Sequence, residues 1–242
     1  MALISGASNS SPTCRLRSLA ITSSRLVYQP RLDLSSGACV GFEALLRWCH
    51  PLLGNVSPAE FMPVVEQTDL ARPVTEWVIE TAIGHALAWR RAGIDLPIAV
   101  NVSVSNLEQP DFAEWLIQRL SAAQLPSSAI EVEVTESSLV QNGTRVGQHL
   151  QEIRDAGMKV AIDDFGTGYS SLSYLQSLPA DIVKIDQSFM RNLASNPRGR
   201  TLVASMVAMR GASISRLSPR GSKTTRPAAS FARPAATKPK AT

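Results

Sequence analysis

Membrane-length apolar runs, a cysteine framework and a histidine cluster are all missing from this 242-residue sequence. No apolar run reaches the ~18 residues that a membrane span needs, so none is expected. The stretch from Met1 to Leu19 lacks the continuous apolar segment of a secretory leader. Cys14, Cys39 and Cys49 form no CxxC pair and no metal-ligand spacing. Three such thiols exclude a disulfide framework and point to a reducing, cytoplasmic compartment. His50, His85 and His149 are scattered and read as surface or packing residues. Acidic residues are absent from both ends, the first being Asp33 and the last Asp186. The formal net charge of +4 invites a nucleic-acid or anionic-membrane partner. Placing the charges removes that reading: residues 33–197 hold all 20 acidic residues and ten of the 24 basic ones, a net of −10. The basic ends lack interleaved aromatics, an amphipathic helix and a recognition fold, so no nucleic-acid partner is expected.

The middle of the chain alternates strand-like and helix-like segments. Residues 27–30 and Cys39 to Trp48 read as extended, joined by a turn at Ser36-Gly37. Ser57-Pro58 opens a helix to about Leu70, with Ser as N-cap and Pro at the first helical position. Trp77, Val78, Ala82, Ala86 and Trp89 recur at helical steps within a second helix from Val74 to Ala92, which Gly93 ends. Trp77, Trp89 and Trp115 read as core. Short strands follow at 98–102, 130–134, 160–162 and 182–185, separated by helices at 111–123, 138–156 and 170–178. Short β-branched runs spaced by helices predict βα units on a parallel sheet. Without a Rossmann glycine fingerprint, a (β/α) barrel is favoured over a doubly wound sheet.

Asn101, Glu133, Asp163-Asp164 and Lys184 lie in or at the C-terminal ends of apolar strands, the face where such barrels build their sites. With Glu43 they supply four carboxylates and an amide from separate strands. Hard oxygen donors without His or Cys suit Mg²⁺ or Mn²⁺ rather than zinc. Two adjacent aspartates let one carboxylate bridge two metals ~3.5–4 Å apart, an arrangement that activates water against a phosphodiester. Lys184 would neutralise phosphate charge or hold the attacking water. Any single strand-end carboxylate is as well explained by solvation or helix capping; the whole set of four carboxylates and one amide is not. Gly166-Thr167-Gly168 offers backbone N–H groups at a helix start, a weak phosphate signal beside the option of a simple tight turn.

At Glu43-Ala44-Leu45-Leu46-Arg47 the chain resembles the EAL-domain cyclic-di-GMP phosphodiesterases, bacterial enzymes that linearise cyclic-di-GMP to pGpG. The resemblance runs through YQP (28–30), EALLRW (43–48), SPAEFMPVVEQT (57–68), AVNVS (99–103), EVEVTES (131–137), DDFGTGYSSLSYL (163–175) and KIDQSF (184–189). It implies metal ligation by Glu43, Asn101, Glu133, Asp163 and Asp164, with Lys184 beside the nucleophilic water. It also implies substrate contacts from Gln29, Leu45 and Arg47. Glu136 would hold the loop after its strand, which in this family shapes the metal site and the dimer contact. The implied fold is α/β, a modified (β/α)₈ TIM-type barrel whose first strand runs antiparallel. The implied partners are cyclic-di-GMP and, as the family often dimerises, a second copy of the chain.

The resemblance stops near Arg210. The family continues with a VAEGVE strand and a GCDxxQGY segment, whereas residues 211–242 have neither strand nor helix periodicity. With G/C-rich codons, Leu217 to Ala228 read one frame over gives VAEGVEDDAA, and the same frame through Thr242 allows GCDEAQGY. Gly6 to Ser24 likewise allows a family-like lead-in when shifted. The expectation is an EAL domain at 26–210, with its last two βα units missing, flanked by out-of-frame segments at 1–25 and 211–242. The family's VAEGVE glutamate would fall opposite Arg220 and its QGY glutamine opposite Lys240, so little turnover is expected of the chain as written. A second function class, a catalytically dead cyclic-di-GMP-binding or protein-interaction module, is separated from the first by binding without hydrolysis.

Overall fold

The computed structural model describes residues 23–33, 35–136, 143–165 and 179–185. β1 (Ser24–Leu32) and β2 (Cys39–His50) form an antiparallel ribbon, and a short β3 (Gly54–Val56) folds back antiparallel on the far end of β2. Then come α1 (Pro58–Glu66), α2 (Ala71–Arg91), β4 (Ile98–Asn101), α3 (Val104–Leu107), α4 (Phe112–Ala122), β5 (Ile130–Thr135), α5 (Gly143–Asp155), β6 (Lys159–Phe165) and β7 (Ile182–Ile185). The sheet order is β1-β2-β4-β5-β6-β7, and every pairing from β2 through β7 along it is parallel. The expected parallel βα sheet with an antiparallel first strand is therefore present. Among the described residues β1 and β7 do not pair, and the sheet does not close. The expected helix at 170–178, the last two βα units and most of the acid-free ends lie outside the described residues.

Alternation along the strands sorts the side chains. On β5, Ile130, Val132 and Val134 are buried in the apolar core, while Glu131 and Glu133, equally buried, occupy the opposite face. Leu116 and Leu120 of α4 and Leu150 and Ile153 of α5 join the core on the helix side. On β1 and β2 the even residues meet the helices: Tyr28 and Phe42 pack on Trp89 of α2, and Trp48 packs on Phe61 of α1. The odd residues share the other face.

Two helix boundaries differ from expectation. α1 stops at Glu66 rather than near Leu70, because the Thr68 hydroxyl and backbone N–H both donate to the Val65 carbonyl and close the last turn. α2 starts at Ala71, before Pro73 rather than after it, since a proline in the first turn gives up no intrahelical hydrogen bond. Its earlier start lets Arg72 bond Glu76 one turn on and Asp111 before α4, over the faces of Phe112 and Trp115. Gly93 ends α2 with φ 81°: its N–H donates to Arg90 and that of Ile94 to Trp89, the paired bonds of a Schellman motif. β3 and α3 are too short to leave a periodic signal. All three tryptophans expected in the core pack against it, and the histidines pair locally: His85 Nδ1 with the Tyr28 hydroxyl, and buried His149 with the Leu107 carbonyl.

Asp181, just before β7, accepts from Arg154 of α5 and from the Val160 N–H of β6, tying three elements together. Burial alone would raise its carboxyl, but the Arg154 and Val160 hydrogen bonds hold it below the usual aspartate range. Asp181→Asn is expected to lower stability by about 1 kcal/mol, the net worth of such bonds after screening at a part-exposed site. A depressed folded value means this contribution is present above the unfolded pKa and is lost as pH falls below about 4. Urea titrations of both proteins at pH 7 and pH 3.5 check it; an equal difference at both pH values contradicts it.

Candidate functional site

The face of the sheet that carries the odd-numbered residues of β1 to β6, joined through the β6–β7 register by even-numbered Lys184, carries charge where an ordinary barrel interior carries branched aliphatics. Glu43 on β2, Glu133 on β5 and Asp163 on β6 place carboxylate oxygens within 4.8 Å of one another. The Lys184 ammonium from β7 donates to all three, at 3.2 Å to Glu43 Oε2, 2.8 Å to Glu133 Oε2 and 3.1 Å to Asp163 Oδ2. Lys184 and Glu133 are fully buried. Asn101, at the end of β4, donates from Nδ2 to Glu43 Oε1 at 3.3 Å. The strand register explains the convergence: Glu43 pairs with Ala99, Asn101 with Glu133, and Glu133 with Ala161, so these positions form adjacent rungs.

Burial pushes the Glu133 carboxyl up to about 7, opposed by Lys184 and reinforced by Glu43 and Asp163. Lys184 moves up as well: burial works against its charge, but Glu133, Asp163 and Glu43 outweigh it. The two directions look contradictory for one ion pair. They are compatible because three carboxylates share one ammonium, so the cation gains and the most buried anion loses. A divalent cation would relieve that deficit and reverse the shift at Glu133.

The donors present fit a hard divalent cation. Glu133 Oε1 is buried without a hydrogen-bond partner among the described residues, and the cluster offers carboxylate and amide oxygens with no thiolate or imidazole. Asp164 follows the cluster at a break in the strand. Its φ is +55°, and the register of β6 on β7 slips between Ile162 and Phe165. A bulge of this kind re-aims the side chain of one residue relative to its neighbour. Glu136 is buried immediately after β5, outside the three-carboxylate group.

The family profile of the EAL domain matches residues 16–211. The chain belongs to the EAL domain family. It is 45% identical over 184 residues to the cyclic di-GMP phosphodiesterase PA2567 of Pseudomonas aeruginosa, covering 76% of this chain and 31% of that protein. It is 37% identical over 187 residues to the uncharacterized protein Rv1354c of Mycobacterium tuberculosis, covering 76% of this chain and 30% of that one. The chain spans 22–31% of the length of the curated relatives it matches. Among solved structures it superposes on the PaMucR phosphodiesterase in complex with c-di-GMP, with TM-score 0.72 and 35% identity over 80% of this chain and 79% of that one. It also superposes on the FimX EAL domain of Pseudomonas aeruginosa bound to c-di-GMP, with TM-score 0.69 and 27% identity over 80% of this chain and 78% of that one. The fold is thus the EAL fold.

Within this EAL domain the β1–β2 ribbon arranges the remaining sequence-derived positions in order. Gln29 lies opposite Glu43, Val27 opposite Leu45 and Arg25 opposite Arg47, all on one face by alternation. Burial lowers Arg47, the Glu43 charge raises it, and the neighbouring Arg25 guanidinium lowers it further. No carboxylate among the described residues forms an ion pair with either arginine. The ribbon thus sets two guanidinium groups side by side beyond Glu43, whose charge acts on Arg47. Reading the sequence overlooked Arg25, Arg31 and Glu131 on this face. The signal was present in Glu131 itself, two residues before Glu133 and so on the same face of β5.

Proposed function

We propose that this EAL domain carries a cyclic-di-GMP phosphodiesterase site that hydrolyses its substrate to pGpG by two-metal activation of water, in bacterial second-messenger signalling in the cytoplasm. The observation that carries the reading is the convergence of Glu43, Asn101, Glu133, Asp163 and Lys184 from five strands, with Glu133 and Lys184 fully buried at its centre. Glu43, Asn101, Glu133, Asp163 and Asp164 would hold Mg²⁺ or Mn²⁺. When bound, such ions supply an activated water nucleophile and neutralise charge developing on the phosphodiester.

The chain's own residues do the rest. Lys184, bonded to Glu43, Glu133 and Asp163, would contribute positive charge beside the attacking water. Gln29 and Leu45 would line the substrate next to Glu43, and Arg47 would bind phosphate, its guanidinium matching that geometry bidentately. Glu136 would brace the loop that follows β5. The domain is proposed to occupy 26–210, with the family match itself beginning at residue 16. Residues 211–242 contain neither the VAEGVE glutamate nor the QGY glutamine, so the chain as written is proposed to bind cyclic-di-GMP with little turnover.

Calorimetry of the full chain with cyclic-di-GMP and Mn²⁺, with chromatography of the products, tests both parts. Binding supports the cyclic-di-GMP site, and pGpG below the detection limit supports the low turnover of the chain as written; absence of binding removes the reading, and rapid pGpG release removes the inactivity. Arg47→Ala is expected to weaken cyclic-di-GMP binding about tenfold or more with Mn²⁺ affinity unchanged, since the loss removes a charge-assisted contact to phosphate. Equal affinity for cyclic-di-GMP in both proteins contradicts that assignment.

A further inference from the structure

Below the acidic cluster the charged interior continues. Arg31, on β1, reaches across to β5 and grips Glu131 through both terminal nitrogens, Nη1 to Oε1 and Nη2 to Oε2, the latter at 3.0 Å. Its Nη1 also lies 3.7 Å from Glu133 Oε1, the oxygen that has no hydrogen bond of its own. Glu131 is 2% exposed, and the Arg31 side chain only 12%. A long cationic side chain fits here because residue 41, directly opposite on β2, is glycine. A Cβ on Gly41 would stand 2.6 Å from Arg31 Nη2 and 3.1 Å from the Pro97 carbonyl oxygen. The backbone therefore leaves room for a guanidinium on this face of the sheet, and a bidentate clamp fixes its plane.

The two oxygens of Glu133 consequently face different cations. Oε2 takes the Lys184 ammonium at 2.8 Å, and Oε1 faces the Arg31 guanidinium. Lys184 carries three carboxylates and cannot by itself set the rotation of any one of them. Arg31 is held rigidly by a residue outside the cluster and supplies a fixed reference on the other side.

We propose that Arg31 is a positioning residue of the metal centre, held by Glu131 so that its guanidinium fixes the carboxylate of Glu133 for metal ligation. The proposal rests on the reading of the acidic cluster as a divalent-metal site. Residues that orient a ligating carboxylate are worth about 10–100-fold in metal affinity when removed.

The test is Mn²⁺ calorimetry on the full chain, with melting of the metal-free proteins alongside. Arg31→Met alone would leave Glu131 buried and unpaired and could unfold the chain. The Arg31→Met, Glu131→Leu double variant removes the pair together and leaves the net charge near the site unchanged. It is expected to melt close to the parent protein yet bind Mn²⁺ about tenfold more weakly. Arg31→Lys, which keeps the charge but loses the two-pronged clamp, is expected to fall between the two. Parental Mn²⁺ affinity in the double variant, or tighter binding, would make Arg31 a mere counter-ion of Glu131 and overturn the proposal. If the double variant does not fold, parental affinity in Arg31→Lys overturns it equally. Failure of the parent chain to bind Mn²⁺ would instead remove the metal-site reading beneath it.

Discussion

Lys184→Met is expected to lower the melting temperature of the metal-free chain by about 10 °C, and Mn²⁺ is expected to recover more of the loss in the variant than it adds to the parent. The ammonium is the only cation within hydrogen-bond distance of Glu43, Glu133 and Asp163 among the described residues. Removing one partner of a buried ionic group leaves uncompensated charge and costs about 3–5 kcal/mol. For a protein of this size each kcal/mol moves the midpoint by about 2–4 °C. Methionine keeps much of the volume of the stem, so the loss reports charge rather than a cavity. Three carboxylates with only the Arg31 guanidinium near Glu133 then draw a divalent cation more strongly, and binding to the native state alone raises stability by mass action, about 2.7 kcal/mol at a hundred times Kd. Scanning calorimetry with and without Mn²⁺ decides the matter. An unchanged midpoint, or equal Mn²⁺ responses in both proteins, contradicts the account of the cluster as a charge-balanced metal site.

Shifting the reading frame back after about residue 210 is expected to raise pGpG release at least about a hundredfold over that of the 242-residue chain. Outer partners of metal ligands are worth about 10–100-fold, and the VAEGVE glutamate is proposed to stand closer to the reaction than any of them. On the proposed frame reading that glutamate would fall opposite Arg220, a cation where the family has an anion. The coding DNA must also permit VAEGVE and QGY in the shifted frame; codons that cannot would contradict the frame reading before any enzyme is assayed. Equal turnover by both chains would show that the described part of the domain is catalytically sufficient.

The strand-end residues were legible because each sits beside an apolar run whose other face is obligatorily buried. Ile98-Ala99-Val100 leads to Asn101, and Val160-Ala161-Ile162 leads to Asp163, so the polar side chain at the end is displayed at the same edge of the sheet every time. Position along the chain is enough to see this. Arg31 was not legible in the same way. A lone arginine after Tyr-Gln-Pro looks like a solvated strand-edge residue, and only the β1–β2 register, which places Gly41 across from it, shows that it turns inward. Helix ends failed for a related reason. The closure of α1 depends on one threonine hydroxyl, and the early start of α2 depends on a proline falling inside the first turn. The deformation at Asp164 had a visible trace in the doubled aspartate, but the left-handed backbone there is a property of β6 meeting β7.

The acidic cluster also has an order in time. Glu43 and Lys184 are separated by 141 residues, and β7 lies at the outer end of the described sheet order. During synthesis the strands bearing Glu43, Asn101, Glu133 and Asp163 leave the ribosome before the one bearing Lys184, and domains fold as their parts emerge. Until β7 docks, three carboxylates face one another with no ammonium to hold them. The mutual repulsion of these anions makes the edge of β6 a poor resting point and the arrival of β7 a strongly favoured step. If the cluster takes a divalent cation as proposed, a cation met early would bridge the same gap, and ion supply would bear on how efficiently the sheet is completed.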